Sequence, residues 1–421
     1  MTETMTKKRP RISTVEFWRL FFTVFVCTFH LEVYFMSPVK KLEAGTGAVE
    51  FFFILAGFTL AMSAHRRFAK RLSLDAPRPS VREASASALD YVVKKLKTMY
   101  PILVVVLLFG FVLYPLLGVR AFSYGPSPSI WETLTNSEWE WLMLIGTPFG
   151  FDGGNAPIVP MWFLTHLFII GYLYTYALER HYEFTLFLAP VIGILGYIFF
   201  TLNSSLILDF DIKMGFLNAG SVHAIAEMAL GISMYRLYTY LAEKDFRVFG
   251  RIILTLVNAF TIYRIFALTI NQPQSFDNFR KLPYLMLIVL LSFLNEDYIS
   301  KLLNRSIWRK FGHVTFVMYL CHLQLVAVYM QGLNALKMRL MAKMFTSSFA
   351  KTVLNLISDT GGMDKNFRPI PITWKDIVLY ILLVFVVSHI ILAILKLIRF
   401  GYGKIKPRFA PKAVAAAESA E

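Results

Sequence analysis

Long apolar runs alternate along the chain with shorter polar connections. A helix needs about 20 mostly apolar residues to cross a bilayer, because hydrocarbon offers no partner to free backbone groups. By that measure ten runs predict spanning helices: approximately 16–36, 47–63, 98–118, 161–180, 184–201, 218–240, 250–270, 282–297, 312–331 and 374–398. The second and eighth are short. The first is too long, and too polar at its start, for a cleavable signal peptide. No solenoid-type repeat runs through the sequence. The expected fold class is all-α, a polytopic membrane protein of about ten transmembrane helices.

Composition agrees. Of 421 residues, 56% are hydrophobic and 17% charged, with a mean hydropathy of +0.55. A soluble domain carries about 25% charged residues, so disorder and secreted disulfide scaffolds are poor descriptions. The net charge of +16 could suggest nucleic acid. The cations, however, lie between apolar runs, where the cytoplasmic face of a membrane wants them. Lys7, Lys8, Arg9 and Arg11 precede the first run. Arg66, Arg67, Lys70, Arg71, Arg78, Arg82, Lys94, Lys95 and Lys97 follow the second. Lys301, Arg305, Arg309 and Lys310 precede the ninth, and Lys396, Arg399, Lys404, Lys406 and Arg408 follow the tenth. With ten spans all fall on one side, although Lys40, Lys41 and the 332–373 loop are exceptions to the contrast. Both termini are expected in the cytoplasm, in a cell inner (plasma) membrane, with no nucleic-acid partner.

The expected organisation is a basic N-terminus over 1–15, a transmembrane domain over 16–400 and a disordered tail over 401–421. Two outer connections, 119–160 and 332–373, are long. The first holds Gly125-Pro126, Trp131, Trp139, Trp141 and Gly153-Gly154, which suits an irregular loop with interfacial aromatic anchors. Cys27 and Cys321 each lie inside an apolar run and are read as small buried hydrophobes rather than as a disulfide. No metal site is expected.

Ionisable groups inside the runs carry the functional argument, since each costs about 2.5–3.5 kcal/mol at the bilayer centre on insertion scales. Arg19 and His30 are eleven positions apart, within about 20° of three full helical turns and roughly 16 Å apart along the axis. They share one face. Glu50 opens the second run, and His223 and Glu227 are an i,i+4 pair on the sixth. Arg264 lies in the seventh, and its depth predicts an ion pair with Glu227 beside an acceptor cleft. His30, Glu50, His166, His223, Glu227 and Arg264 all fall in the outer half, while Arg19, Lys94 and Lys97 fall at the inner boundary. His322 joins the candidate substrate groups, and His389 reads as a packing residue. A cationic inner site and a titratable outer site suit acyl transfer from a cytoplasmic thioester. Cations hold the donor's phosphates, and an imidazole deprotonates the acceptor hydroxyl or takes the acyl group.

Several segments are similar to a known family. Arg19 and His30 form R-x10-H in the first run. Gly47-Ala48-Val49-Glu50-Phe51-Phe52-Phe53-Ile54-Leu55-Ala56-Gly57-Phe58 resembles the G-V-x-x-F-F-x-x-S-G-F stretch of the acyltransferase 3 family. Tyr91-Val92-Val93-Lys94-Lys95-Leu96-Lys97-Thr98-Met99-Tyr100-Pro101 resembles its F-x-x-R-R-x-x-R-x-x-P segment, and Met161-Trp162-Phe163-Leu164 its W-F-L helix start. The stretch from Phe311 to His322 resembles its late G-x-x-S-Y-x-x-Y-L-x-H motif. The segments occur in family order between residues 10 and 400. The resemblance implies a ten-helix membrane O-acyltransferase of bacterial surface glycans. It assigns catalysis to His30 and donor binding to Arg19, Lys94 and Lys97. Lysines replace arginines in the third segment, which weakens bidentate phosphate recognition, and Ala56 stands where Ser is common.

The expected donor is acyl-CoA, acetyl-CoA first among them, and the expected acceptor a glycan or glycolipid hydroxyl at the outer face. Glu50, His166, His223, Glu227, Arg264 and His322 are the candidate acceptor-side residues. Two alternatives stay open at this point: a transporter of a lipid- or sugar-linked solute, and a non-catalytic membrane sensor module.

Overall fold

The computed structural model describes residues 12–34, 47–117, 160–202, 213–214, 217–270, 280–343, 346–357, 360, 362–363, 369–370 and 372–409. Nearly all of the expected 119–160 loop lies outside the described residues, as do Lys40, Lys41 and 410–421. In chain order the helices are α1 (Ser13–Tyr34), α2 (Ala48–Ser73), α3 (Val81–Leu117), α4 (Met161–Arg180) and α5 (Tyr182–Leu202). A two-residue hairpin, β1 (Lys213–Met214) with β2 (Leu217–Asn218), leads into α6 (Ala219–Ala242). Then come α7 (Val248–Ala267), α8 (Leu282–Leu294), α9 (Tyr298–Leu303) and a 3-10 turn over Ser306–Phe311. The chain continues through α10 (Gly312–Lys343), α11 (Ser348–Ile357), the β3–β4 hairpin (Gly362–Met363 with Pro369–Ile370) and α12 (Trp374–Phe409).

Each of the ten apolar runs is helical. Six of the helices, α1, α2, α4, α5, α7 and α12, are long and apolar enough to cross a membrane, and α10 adds a seventh if its two arms, bent by 49°, form one span. Helix α8, with 13 residues, reaches only about 20 Å. Three boundaries move from their expected places. Helix α3 starts at Val81 and spans 37 residues, so its basic first half extends beyond the apolar stretch. Helix α10 runs on to Lys343 and α11 follows, which gives helical structure to part of the expected 332–373 loop. Helix α12 runs to Phe409, past the boundary expected at 400.

Local chemistry explains the starts. Ser80 and Glu83 form a reciprocal capping box at α3: the Ser80 amide donates to Glu83 Oε2 at 2.7 Å, and the Glu83 amide to Ser80 Oγ at 3.2 Å. Thr373 and Asp376 do the same for α12, and the other carboxylate oxygen of Asp376, Oδ1, accepts from the Tyr329 hydroxyl of α10 at 2.9 Å.

Burial separates inner from outer helices. In α2 and α4, 67% and 72% of the apolar window is buried, against 17% in α7 and 28% in α12. The exposed faces of α5, α7 and α12 carry Phe187, Leu195, Phe249, Leu256, Leu382 and Ile390, a surface that lipid rather than water would cover. At the centre, α2 packs on α6, and α5 on the far side of α6. The α2–α6 contact is backbone to backbone. A side chain on Gly57 would collide with the Met228 carbonyl, and one on Gly231 with the Ile54 carbonyl. Gly193 and Gly196 of α5 sit similarly against Leu230 and Ala226. Small residues permit such approach where no hydrophobic force drives helices together. The far end of α2 is tied to α4 by Glu179, which takes Arg67 and, at 2.9 Å, Arg71.

Candidate functional site

The R-x10-H helix α1 joins two polar regions. At its start, Arg19 lines a cavity of about 2070 Å³ together with Arg66 and Lys70 of α2, Lys95 of α3, Lys244 and Arg309. Six cations thus surround one space. Arg19 is held by Glu16 at 3.2 Å and remains partly exposed. Desolvation, and then the Arg19 charge, hold the Lys95 ammonium below the ordinary lysine range. The carboxylates of Glu16, Glu243 and Glu296 also line it, so the cations outnumber the anions by two to one, and other walls are apolar or weakly polar: Phe52, Leu55, Ala56, Phe163, Leu167, Phe293, Phe316, Thr23, Thr59 and Tyr319. Such a space fits a ligand with a polyanionic head and a slender apolar arm.

One turn beyond Tyr319 along α10 lies His322, whose ring meets that of His30 with centroids 5.0 Å apart and planes tilted by 42°. The Tyr319 ring is 5.9 Å from that of His322, so the imidazole pair adjoins the cavity wall. The tautomer of His322 follows from its partner. Its Nδ1 is 2.6 Å from the Tyr319 carbonyl oxygen, which can only accept. Nδ1 therefore carries the hydrogen, and in the neutral ring Nε2 presents a lone pair. That nitrogen is buried and has no hydrogen-bond partner among the described residues. The Tyr380 hydroxyl donates to the His322 carbonyl at 2.7 Å and fixes the backbone. His30 is partly exposed.

The opposite end of α2 carries the second region. Glu50, His223 and Glu227 are 3%, 1% and 0% exposed, and one donor atom of each lies within 4.8 Å of the other two. Glu227 Oε1 accepts from His223 Nδ1 at 2.6 Å and from the Tyr197 hydroxyl at 3.0 Å. Phe200 stacks on His223 with centroids 3.9 Å apart. Lys281, also buried, converges with Glu50 on Gly47.

Two readings of the sequence change. Glu227 does not meet Arg264: its partners are His223 and Tyr197, while the Arg264 guanidinium lies 5.7 Å from the centre of the Tyr284 ring. The reason is lateral. Helix α7 packs on α8, which itself packs on α6 and α2. A place on consecutive helices did not make them neighbours. All three α3 lysines are exposed, but only Lys95 lines the cavity: Lys94 pairs with Asp90 at 2.5 Å, and Lys97 lies off the cavity.

His166 has both nitrogens engaged, Nδ1 with the Trp162 carbonyl at 2.6 Å and Nε2 with Ser221 Oγ at 3.0 Å, which ties α4 to α6. His389 bonds the Phe385 carbonyl of its own helix at 2.9 Å and is exposed on α12 rather than packed in the core. Cys27 and Cys321 are free and buried. Sequence reasoning passed over Tyr197, Lys281 and the buried Glu32, although each is a polar group at an apolar run or its edge, the signal used for the others.

No curated protein and no solved structure was found to match the chain. A family model described as an acyltransferase domain matches residues 12–396, a span that holds both polar regions and nearly every helix between them. The chain belongs to the acyltransferase 3 family and is a multi-pass membrane acyltransferase.

Proposed function

We propose that the protein is an O-acyltransferase that moves an acyl group, acetyl by expectation, from cytoplasmic acyl-CoA to a hydroxyl of a glycan or glycolipid at the outer face of the inner membrane. In this reading about ten helical segments cross or enter the bilayer, with both termini cytoplasmic. The observation that carries it is the juxtaposition of a six-cation cavity with an imidazole pair next to its wall. Arg19 and Lys95, with Arg66 and Lys70, hold the donor's phosphates, and Lys94 and Lys97 add only to the surrounding potential. The pantetheine arm follows the apolar wall past Phe52 and Tyr319 and presents the thioester to His30.

Chemistry then needs one proton carrier. His30 takes the proton of the acceptor hydroxyl as the oxygen attacks the thioester carbon. The carbon–sulfur bond breaks, an ester forms, and the thiolate of CoA leaves with the proton that His30 returns. His322, its tautomer set by the Tyr319 carbonyl, packs its ring against that of His30. Arg264 and His166 lie toward the acceptor side and serve the scaffold. Neither the transporter nor the sensor alternative has an observation of its own in its favour.

The test uses purified protein in detergent with acetyl-CoA and extracted envelope glycolipids. Free CoA thiol and a matching mass increase on the glycolipid are expected. Thioester consumption absent under every acceptor tried, with acetyl-CoA not bound, contradicts the reading.

A further inference from the structure

The acyl-transfer scheme leaves Glu50, His223 and Glu227 without a task. Their helices are locked at Gly57 and Gly231, so the spacing between Glu50 and the other two is built into the bundle. Each side chain is more than nine-tenths buried. Each also keeps one bare atom: Glu50 Oε2, His223 Nε2 and Glu227 Oε2 have no hydrogen-bond partner among the described residues. Tyr197 and His223 both donate to the same oxygen of Glu227.

Two carboxylates brought this close in a low-dielectric interior repel unless a positive charge or proton intervenes. Lys281, beside Glu50, offsets only one of them. We propose that Glu50, His223 and Glu227 bind one divalent transition cation of the zinc class. Two carboxylates and an imidazole are a donor set for zinc, manganese or ferrous iron rather than for magnesium or calcium, which prefer oxygen alone. Bonds of about 2.0–2.2 Å require donors about 3–4 Å apart, so a separation within 4.8 Å needs only a modest contraction. Three protein ligands leave a position for water or for an acceptor hydroxyl. The site departs from the metal-free chemistry expected of the sequence, and it stands independently of the donor assignment.

Zinc uptake tests this on the full chain, purified in detergent after chelation. Protein is exposed to a several-fold excess of zinc, desalted and analysed for metal, with the melting temperature followed in parallel. One zinc per chain and a raised melting temperature are expected. Glu50→Gln, Glu227→Gln and His223→Ala should each weaken uptake at least about ten-fold, since even supporting residues of metal sites are worth that much. Cobalt substitution of the unaltered chain serves if a variant fails to fold: visible d–d bands of a nitrogen–oxygen site are expected. Folded protein that retains no zinc and shows no cobalt bands overturns the proposal. So does one equivalent retained undiminished by all three variants.

Discussion

The two polar regions of this bundle solve opposite problems. The Arg19 end is wide, cationic and partly solvated, so its charges keep much of their hydration and can be numerous. At the Glu50 end three ionisable groups are nearly sealed, and each must be partnered because water cannot serve. The comparison shows what each region is built to recognise. Redundant half-exposed cations suit a large anion that arrives and leaves. A small, rigid, deeply buried set suits a ligand that stays or a group that is positioned to ångström accuracy.

The largest effect should come from unlocking the rigid end. Gly231→Leu places a side chain against the Ile54 carbonyl and Phe58 amide, which no flexible neighbour can vacate. Overpacking costs about 1–3 kcal/mol or more, so the variant should lose most of its detergent-stable fraction in size-exclusion chromatography and thermal assays. Gly332→Ala meets no neighbouring atom and should be nearly silent.

Next in size is the donor end. Arg19→Ala and Lys95→Ala should each weaken acyl-CoA binding by about one to two decades, the loss of a charge-assisted contact of about 1.5–3 kcal/mol. Lys94→Ala and Lys97→Ala, which lie off the cavity, should change it by less than about three-fold. Equal losses at all four positions would show that general potential, not cavity geometry, holds the donor.

The extent to which these regions can be read from sequence differs for a physical reason. Periodicity along one helix is a property of that helix alone, so the Arg19–His30 face and all ten helical segments were legible. What periodicity leaves open is lateral placement, and there the reading failed: Glu227 and Arg264 lie on consecutive helices but do not meet, because α8 intervenes. Likewise no property of the Lys94-Lys95-Leu96-Lys97 stretch says which lysine turns toward α1. That depends on how α3 packs on α4. The continuation of α10 through Lys337 and Arg339 was hidden because those side chains break the apolar run, although Lys337 is buried and donates to the Thr360 carbonyl at 2.6 Å.

A double-mutant cycle sharpens the correction. Tyr197→Phe and Glu227→Gln should be non-additive in melting free energy by about 0.5–3 kcal/mol, whereas Glu227→Gln and Arg264→Met should add. Non-additivity of the second pair would restore the ion pair that the structure replaces.

The smallest effect is a pH dependence of donor affinity. Lys95 titrates below the ordinary lysine range. An anionic donor favours its protonated form, so affinity should be constant at neutral pH and decline by up to roughly ten-fold as alkaline pH deprotonates Lys95. Lys95→Met should bind more weakly at neutral pH and lack the alkaline decline, which isothermal titration between neutral and alkaline buffers reads out.

The division of labour between cavity and imidazole pair is tested most directly by measuring acyl-CoA affinity and single-turnover acyl transfer in the same preparation of His30→Ala. The account requires transfer to fall by about 10²–10⁴-fold while donor affinity stays within about two-fold of the unaltered protein. Transfer that persists at the original rate, or donor binding that disappears with the imidazole, would contradict it.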